Sequence, residues 1–252
     1  MKDRREDQPG IGPWLAPGEE SVAPAIRSVA YWDEYAPWYR LWLEHTDYHH
    51  GLKDLLAGLV RPGWRVLDIG GGSGVLAIPL MRAGCRVTIV EPSEVMRAYL
   101  RTEMAKADVE EDAIIALPWE EVPARDVEGF DLVLASNSLH LTRIGLLGSL
   151  ERILTARPAQ VLVASELEVL LAGGRDGEAG YVVAGSGSFR TENSFRYHSL
   201  EEALRHLDLK RRHGQPHPPA EEFVTGLVFE NGHYVNRRWT TVRWIRLVRA
   251  AG

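Results

Sequence analysis

The stretch VLDIGGGSG, residues 66–74, decides how this chain is read. An apolar run ends in Ile69 with the acid Asp68 beside it, and glycines recur at alternate positions, Gly70, Gly72 and Gly74, before a helical pattern begins. Glycine accepts positive φ and lets the backbone approach a ligand closely. The helix start behind the loop adds unpaired N–H groups and the positive end of a dipole. Seventeen residues beyond Gly74, at the end of the next apolar run RVTIVE (86–91), stands Glu91. In a doubly wound nucleotide-binding fold, a carboxylate so placed can accept hydrogen bonds from both hydroxyls of a ribose.

Working outward, short apolar strands alternate with amphipathic helices. WRVLDI (64–69) and RVTIVE (86–91) are strands, and AIIAL (113–117), FDLVLAS (130–136) and VLVAS (161–165) continue the series. Between them, residues 75–83 open a helix, Ser93 caps another running to about Ala107, and Ile144 to Thr155 is a third. This rhythm predicts right-handed βαβ crossovers and a parallel sheet covered on both faces. Upstream, Tyr31, Tyr35, Trp38, Trp42 and Leu43 recur at helical spacing with Pro37 interrupting, and Leu52, Leu55, Leu56 and Leu59 form a second stripe. Two N-terminal helices are therefore expected, preceded by a disordered or loosely docked arm over residues 1–28. After Ser165 the glycine-rich segment 171–188 reads as a flexible loop. HSLEEALRHL (198–207) starts a helix at Ser199, and LKRRHG and the closing TTVRWIRLV read as two further strands.

The 252 residues, 45% hydrophobic and 25% charged, suit one soluble α/β domain with a sizeable core. No apolar run approaches the roughly 18 residues that cross a bilayer, and MKDRREDQPG carries no apolar segment behind its charges, so neither a membrane span nor a secretory signal is expected. The single cysteine, Cys85, fits a reducing cytoplasm. The net charge of −6 disfavours a nucleic-acid partner. It is unevenly spread: residues 1–189 hold 18 basic and 28 acidic side chains, and 190–252 hold 11 and 7.

Two cofactor patterns fit the loop. GSGVLA (72–77) matches the dinucleotide fingerprint G-x-G-x-x-A, and DIGGGSG (68–74) matches D-x-G-x-G-x-G. With the second match, the sequence resembles the class I S-adenosylmethionine-dependent methyltransferases over roughly residues 30–165. VEPSEVM (90–96) resembles the family's ribose-binding acidic turn, and FDLVLASNSLHL (130–141) its fourth-strand motif. The resemblance implies a doubly wound, mostly parallel seven-stranded sheet with an N-terminal helical cap and an antiparallel terminal strand. The cap would span 29–60, the cofactor-binding core 61–166, and an acceptor-side insertion with the final strands 167–252, all in one domain. It implies S-adenosylmethionine as cofactor, with Gly70, Gly71, Gly72 and Gly74 forming the loop and Asp68 orienting the methionine amino group directly or through water. Glu91 would hold the ribose, Pro92 and Met96 would lie beside the adenosine, and Leu117 and Trp119 near the adenine. Ser136 and Asn137 would face the methyl end, and Tyr39, with Tyr31 and Tyr35, resembles the family's lid tyrosines. Many relatives carry an Asp at the turn that here reads ALPWEE (116–121), so adenine would rest on backbone groups and on Trp119.

A sulfonium methyl is already activated, so alignment and dehydration matter more than acid–base machinery. A base is needed only for a protonated acceptor, and His140, three residues past Asn137, is the candidate. Glu44, His45, His49 and His50 suggest a metal at first sight, yet they lack the H-E-x-x-H order and a nearby third ligand, so no metal is expected. The Asn-Pro-Pro-Tyr/Phe motif of DNA and protein-glutamine N-methyltransferases is absent; the stretch reads SNSL (136–139). A small-molecule acceptor is therefore the leading expectation. The alternatives are a tRNA or protein modifier docking through the basic C-terminal part, a nicotinamide oxidoreductase, and a cofactor-binding scaffold without activity.

Overall fold

The computed structural model describes residues 14–15, 24–110, 113–167, 170–171 and 180–250. Its centre is the expected alternation. Strand β2 (Arg65–Ile69) is followed by α3 (Ala77–Arg82), β3 (Arg86–Val90), α4 (Glu94–Ala107), β4 (Ala113–Ile115), β5 (Leu132–Ser136), α5 (Gly145–Thr155) and β6 (Gln160–Ser165). These strands pair in parallel in the order β4-β3-β2-β5-β6. Side chains of successive residues face opposite ways along a strand. Val66, Val87, Leu132, Leu134 and Leu162 accordingly pack with the capping helices in one core, and Leu67, Val133, Val161 and Val163 pack with α5 in the other.

Two further strands complete seven. β12 (Trp239–Arg249) lies antiparallel between β6 and β8 (Tyr181–Glu192), and is the antiparallel member of the sheet. The glycine-rich segment is thus corrected in part: residues 181–188 belong to a strand, while 172–179 lie outside the described residues. The reason is packing. A Cβ at Gly187 would stand 3.1 Å from the Trp244 indole, and one at Gly185 would stand 3.4 Å from it, so these glycines form the bed on which that ring lies.

LKRRHG is a second correction. Residues 209–212 continue α6 (Leu200–Arg212) rather than forming a strand. Ser199 caps the helix by accepting the Glu202 N–H at 3.1 Å, Glu202 reaches back to the His198 N–H at 2.7 Å, and Lys210, Arg211 and Arg212 occupy the last turn, where the dipole favours cations. The remaining elements are β1 (Trp14–Leu15) paired with β7 (Leu170–Leu171), α7 (Ala220–Thr225), and a small antiparallel sheet of β10 (Val228–Glu230), β11 (His233–Asn236) and β9 (Phe195–Tyr197).

The cap consists of α1 (Val29–Leu43) and α2 (His50–Leu59). Pro37 does not interrupt α1; it sits inside the helix on the solvent side, where the carbonyl it leaves unpaired can meet water. Asp33 ties the cap to the core by accepting Ser93 Oγ at 2.7 Å and the Val95 N–H at 3.3 Å at the start of α4. No described helix is long and apolar enough to cross a membrane.

Candidate active site

The carboxyl ends of β2, β3, β5 and β6 converge on one cavity of about 690 Å3, at the point where the strand order runs outward in both directions from β2. This is where an open α/β sheet binds its ligands. The loop after β2 turns by positive φ at Gly70 (73°), Gly72 (55°) and Gly74 (85°). Only two of these need closer comment. A Cβ at Gly72 would project toward the Tyr39 ring at 3.8 Å, into the space between loop and cap. A Cβ at Gly74 would stand 2.4 Å from Cδ1 of the fully buried Leu100. Gly74→Ala combines a left-handed backbone with overpacking and is expected to cost about 2–5 kcal/mol. That should lower Tm by roughly 5–15 °C, and a melting curve within about 2 °C of the parent would refute the argument.

Glu91 is 6% exposed and lines the cavity. Its Oε2 accepts the Gly72 N–H at 2.9 Å and its Oε1 accepts the Ser93 N–H at 2.8 Å, so one carboxylate fixes both the glycine loop and the start of α4. Burial raises its pKa, and these two N–H groups partly offset the rise. Each oxygen keeps a further lone pair. Asp68 is 2% exposed and stands behind the loop rather than in the cavity wall. Burial, then the neighbouring Glu91 charge, push its carboxyl up to about 7, and its Oδ2 has no hydrogen-bond partner. Tyr39 lines the cavity, its hydroxyl pushed up by burial and by the charges of Glu91 and Asp68.

Of the residues singled out in the sequence, Tyr39, Gly70, Gly72, Glu91, Pro92, Met96, Trp119, Ser136, Asn137 and His140 line this cavity together. Gly71 and Gly74 support the loop from behind. Leu117 is 37% exposed and outside the lining, and its neighbour Pro118 takes the place at the wall. Trp119 is buried with Arg152 over its ring at 5.2 Å. His140 is held neutral at about 4, by burial and then by the Arg27 charge.

Sequence reasoning missed the opposite end. Tyr48, His49, Glu166, Asn193 and Phe195 also line the cavity. The Tyr48 hydroxyl donates to Glu166 Oε1 at 2.6 Å and accepts from Asn137 Nδ2 at 2.6 Å, while Asn137 Oδ1 accepts the Glu166 N–H at 2.9 Å. Asn137 adopts φ 51°, which turns its amide into this network. Asn193 Nδ2 donates to the same Oε1 at 3.2 Å, and Thr240 Oγ1 donates to Oε2 at 3.1 Å. The position of Glu166, one residue past the fifth strand, was the available signal. His49 is buried, its pKa lowered to about 3 by burial, and it packs edge-on against Tyr48 and Trp42. His50 instead meets Asp54 at 3.2 Å on the surface. Among the described residues, Glu44, His45, His49 and His50 do not gather around one point.

The residues present fit an adenosylated, cationic cofactor: a glycine cradle that a Cβ would fill, a carboxylate with spare lone pairs at the end of β3, and the unpartnered oxygen of Asp68 beneath the loop. Residues 66–156 match the family model described as methyltransferase domain. The fold, the motifs and the match over residues 66–156 together support a class I S-adenosylmethionine-dependent methyltransferase. Among curated proteins, no sequence matches it. Among solved structures it is similar to a candidate RNA methyltransferase from Pyrococcus horikoshii (15% identity, 84% of this chain and 89% of the other covered, TM-score 0.51). It is also similar to magnesium protoporphyrin IX methyltransferase from Synechocystis with bound S-adenosylmethionine (14%, 80% and 80%, TM-score 0.50) and to the cyclase SpnF (18%, 80% and 81%, TM-score 0.50). At these identities the likeness shows the fold, and the three descriptions name three different chemistries.

Proposed function

We propose that this methyltransferase acts on a small, largely apolar acceptor that carries a hydroxyl. The carrying observation is that one cavity is continuous from the glycine loop to a wall of aromatic side chains supplied by the cap, including Tyr31, Tyr35 and Trp42. Its volume falls in the roughly 300–1,000 Å3 range of small-molecule sites. In the basic C-terminal part, by contrast, five arginines are paired with acidic side chains. Arg196 pairs with Glu192, Arg205 with Glu201, Arg211 with Asp208, Arg212 with Glu34, and Arg237 with Glu230. Pairing of these five with acids reduces the free positive charge that this part could offer to phosphates.

When bound, S-adenosylmethionine supplies a methyl group on a sulfonium, ready for displacement. In this reading Glu91 accepts the ribose hydroxyls with the lone pairs its backbone donors leave over, and Met96 and Trp119 give apolar cover to the adenosine. Asp68 balances the ammonium through the loop. The chain's remaining task is to hold the acceptor oxygen in line, roughly 3–3.5 Å from the reacting carbon, with water excluded. The apolar body would rest on the cap aromatics. His140, uncharged at neutral pH, would take the proton that the acceptor hydroxyl loses as the new C–O bond forms.

The test is transfer of a labelled methyl group from S-adenosylmethionine to a low-molecular-weight cell extract and, separately, to total RNA. Label is expected in small molecules; label in RNA alone would overturn the reading. With the acceptor in hand, His140→Ala should lower kcat about 100-fold and leave cofactor Kd within about threefold. An unchanged kcat would remove His140 from the proton path.

A further inference from the structure

His45, in the loop after α1, has no useful partner nearby in sequence, yet the fold brings two distant histidines to it. His233 begins β11, and His198 directly follows β9, the neighbouring strand of the small sheet. The β9–β11 register pairs Tyr234 with Tyr197, and one step further along the same ladder sets His233 opposite His198. The ring centroids of His45 and His233 are 5.0 Å apart, those of His198 and His233 5.1 Å, and those of His45 and His198 6.3 Å. One ligand nitrogen from each ring lies within 4.8 Å of the other two.

We propose that His45, His198 and His233 form a binding site for one divalent transition-metal ion, with zinc the best match. Three imidazoles and an open fourth position for water are a familiar zinc donor set, and imidazole suits this part of the transition series. Zinc–nitrogen bonds of about 2.0–2.1 Å would draw the three nitrogens together by about 1.5 Å at most, a movement within reach of the exposed His198 ring.

Three features of the surroundings support this. Nε2 of His45 is buried without a hydrogen-bond partner, a costly arrangement for a polar atom unless something binds there. Nδ1 of His233 lies 3.0 Å from the Asn231 carbonyl, which holds the ring proton on that side and leaves Nε2 as a donor of electrons. The His45 backbone is fixed by Arg196, whose Nη1 donates to its carbonyl at 2.6 Å. The Arg196 guanidinium is in turn paired with Glu192 at 3.0 Å, which tempers its repulsion of a dication. None of the three histidines lines the cavity, so the site is separate from the one described above. Its consequence is mechanical: an ion would join the loop between α1 and α2, which carries the cavity residues Tyr48 and His49, to the small sheet.

The test uses the full chain stripped with a chelator and titrated with zinc alone. One ion per chain is expected, and with it a rise in Tm. His198→Ala and His233→Ala should each weaken binding at least about 30-fold, while His50→Ala, exposed and outside the cluster, leaves it unchanged. Because His198 is exposed, its alanine variant is expected to keep the parent circular dichroism and cofactor affinity. Cobalt(II) in place of zinc should give the intense visible bands of a tetrahedral site, lost in the same two variants. No binding at one equivalent, or binding indifferent to both substitutions, would overturn the proposal.

Discussion

Glu91→Gln is expected to weaken S-adenosylmethionine binding by about 100-fold, although it exchanges a single oxygen for nitrogen. The Glu91 carboxylate accepts at both oxygens from backbone N–H groups, those of Gly72 and Ser93. An amide offers one acceptor and one donor, so one of those N–H groups would face an NH2. A buried donor left unsatisfied costs about 1–3 kcal/mol. If Glu91 holds the ribose as proposed, loss of that ionic partner adds a comparable amount to binding alone. Calorimetric titration measures the affinity, and the melting temperature of the free protein measures the local cost. A dissociation constant within threefold of the parent would show that Glu91 serves the loop and not the cofactor.

Asp68→Asn is expected to do the opposite to stability and to change how binding depends on pH. The Asp68 carboxyl has its pKa pushed up to about 7 in the folded protein, well above the roughly 3.9 of an unfolded chain. A group raised in this way favours the folded state most below its unfolded pKa. That contribution drains away as pH rises toward 7 and is gone above it. The asparagine variant lacks this slope. Its Tm relative to the parent should therefore climb between pH 5 and pH 8, the buried charge costing the parent a few kcal/mol at the upper end. Cofactor affinity runs the other way. In the parent it should rise with pH through about 7 as Asp68 becomes anionic beneath the loop, and in the variant it should be flat and weaker. A Tm difference that stays constant from pH 5 to pH 8 would contradict the assigned ionisation.

The parts of this molecule that could be read in advance are those where a short stretch carries its own reason. Three alternate glycines followed at the right distance by an acid specify a loop, a helix start and a carboxylate, and the fold sets Gly70, Gly72 and Glu91 around one cavity. Ser93 and Ser199 announce their helices because a cap is a local bond, made here to the N–H groups of Met96 and Glu202. Misreadings arose where the deciding partner is remote. Gly185 and Gly187 look like loop residues until Trp244, far along the chain, is laid across them. The basic run after Leu209 looks like a strand only if the helix upstream is cut short. Glu166 gains meaning from Tyr48, Asn137, Asn193 and Thr240, no two of which sit near it in sequence.

The interleaving of β12 between β6 and β8 also sets an order of assembly. β8 leaves the ribosome first but has no place on the sheet, because its neighbour there has not yet been made. Arrival of β12 supplies that neighbour, pairing with β6 along Gln160 to Ser165 and with β8 along its whole length. The bond from Thr240 to Glu166 is made in that same step, so this support of the cavity wall comes with β12 rather than with the glycine loop.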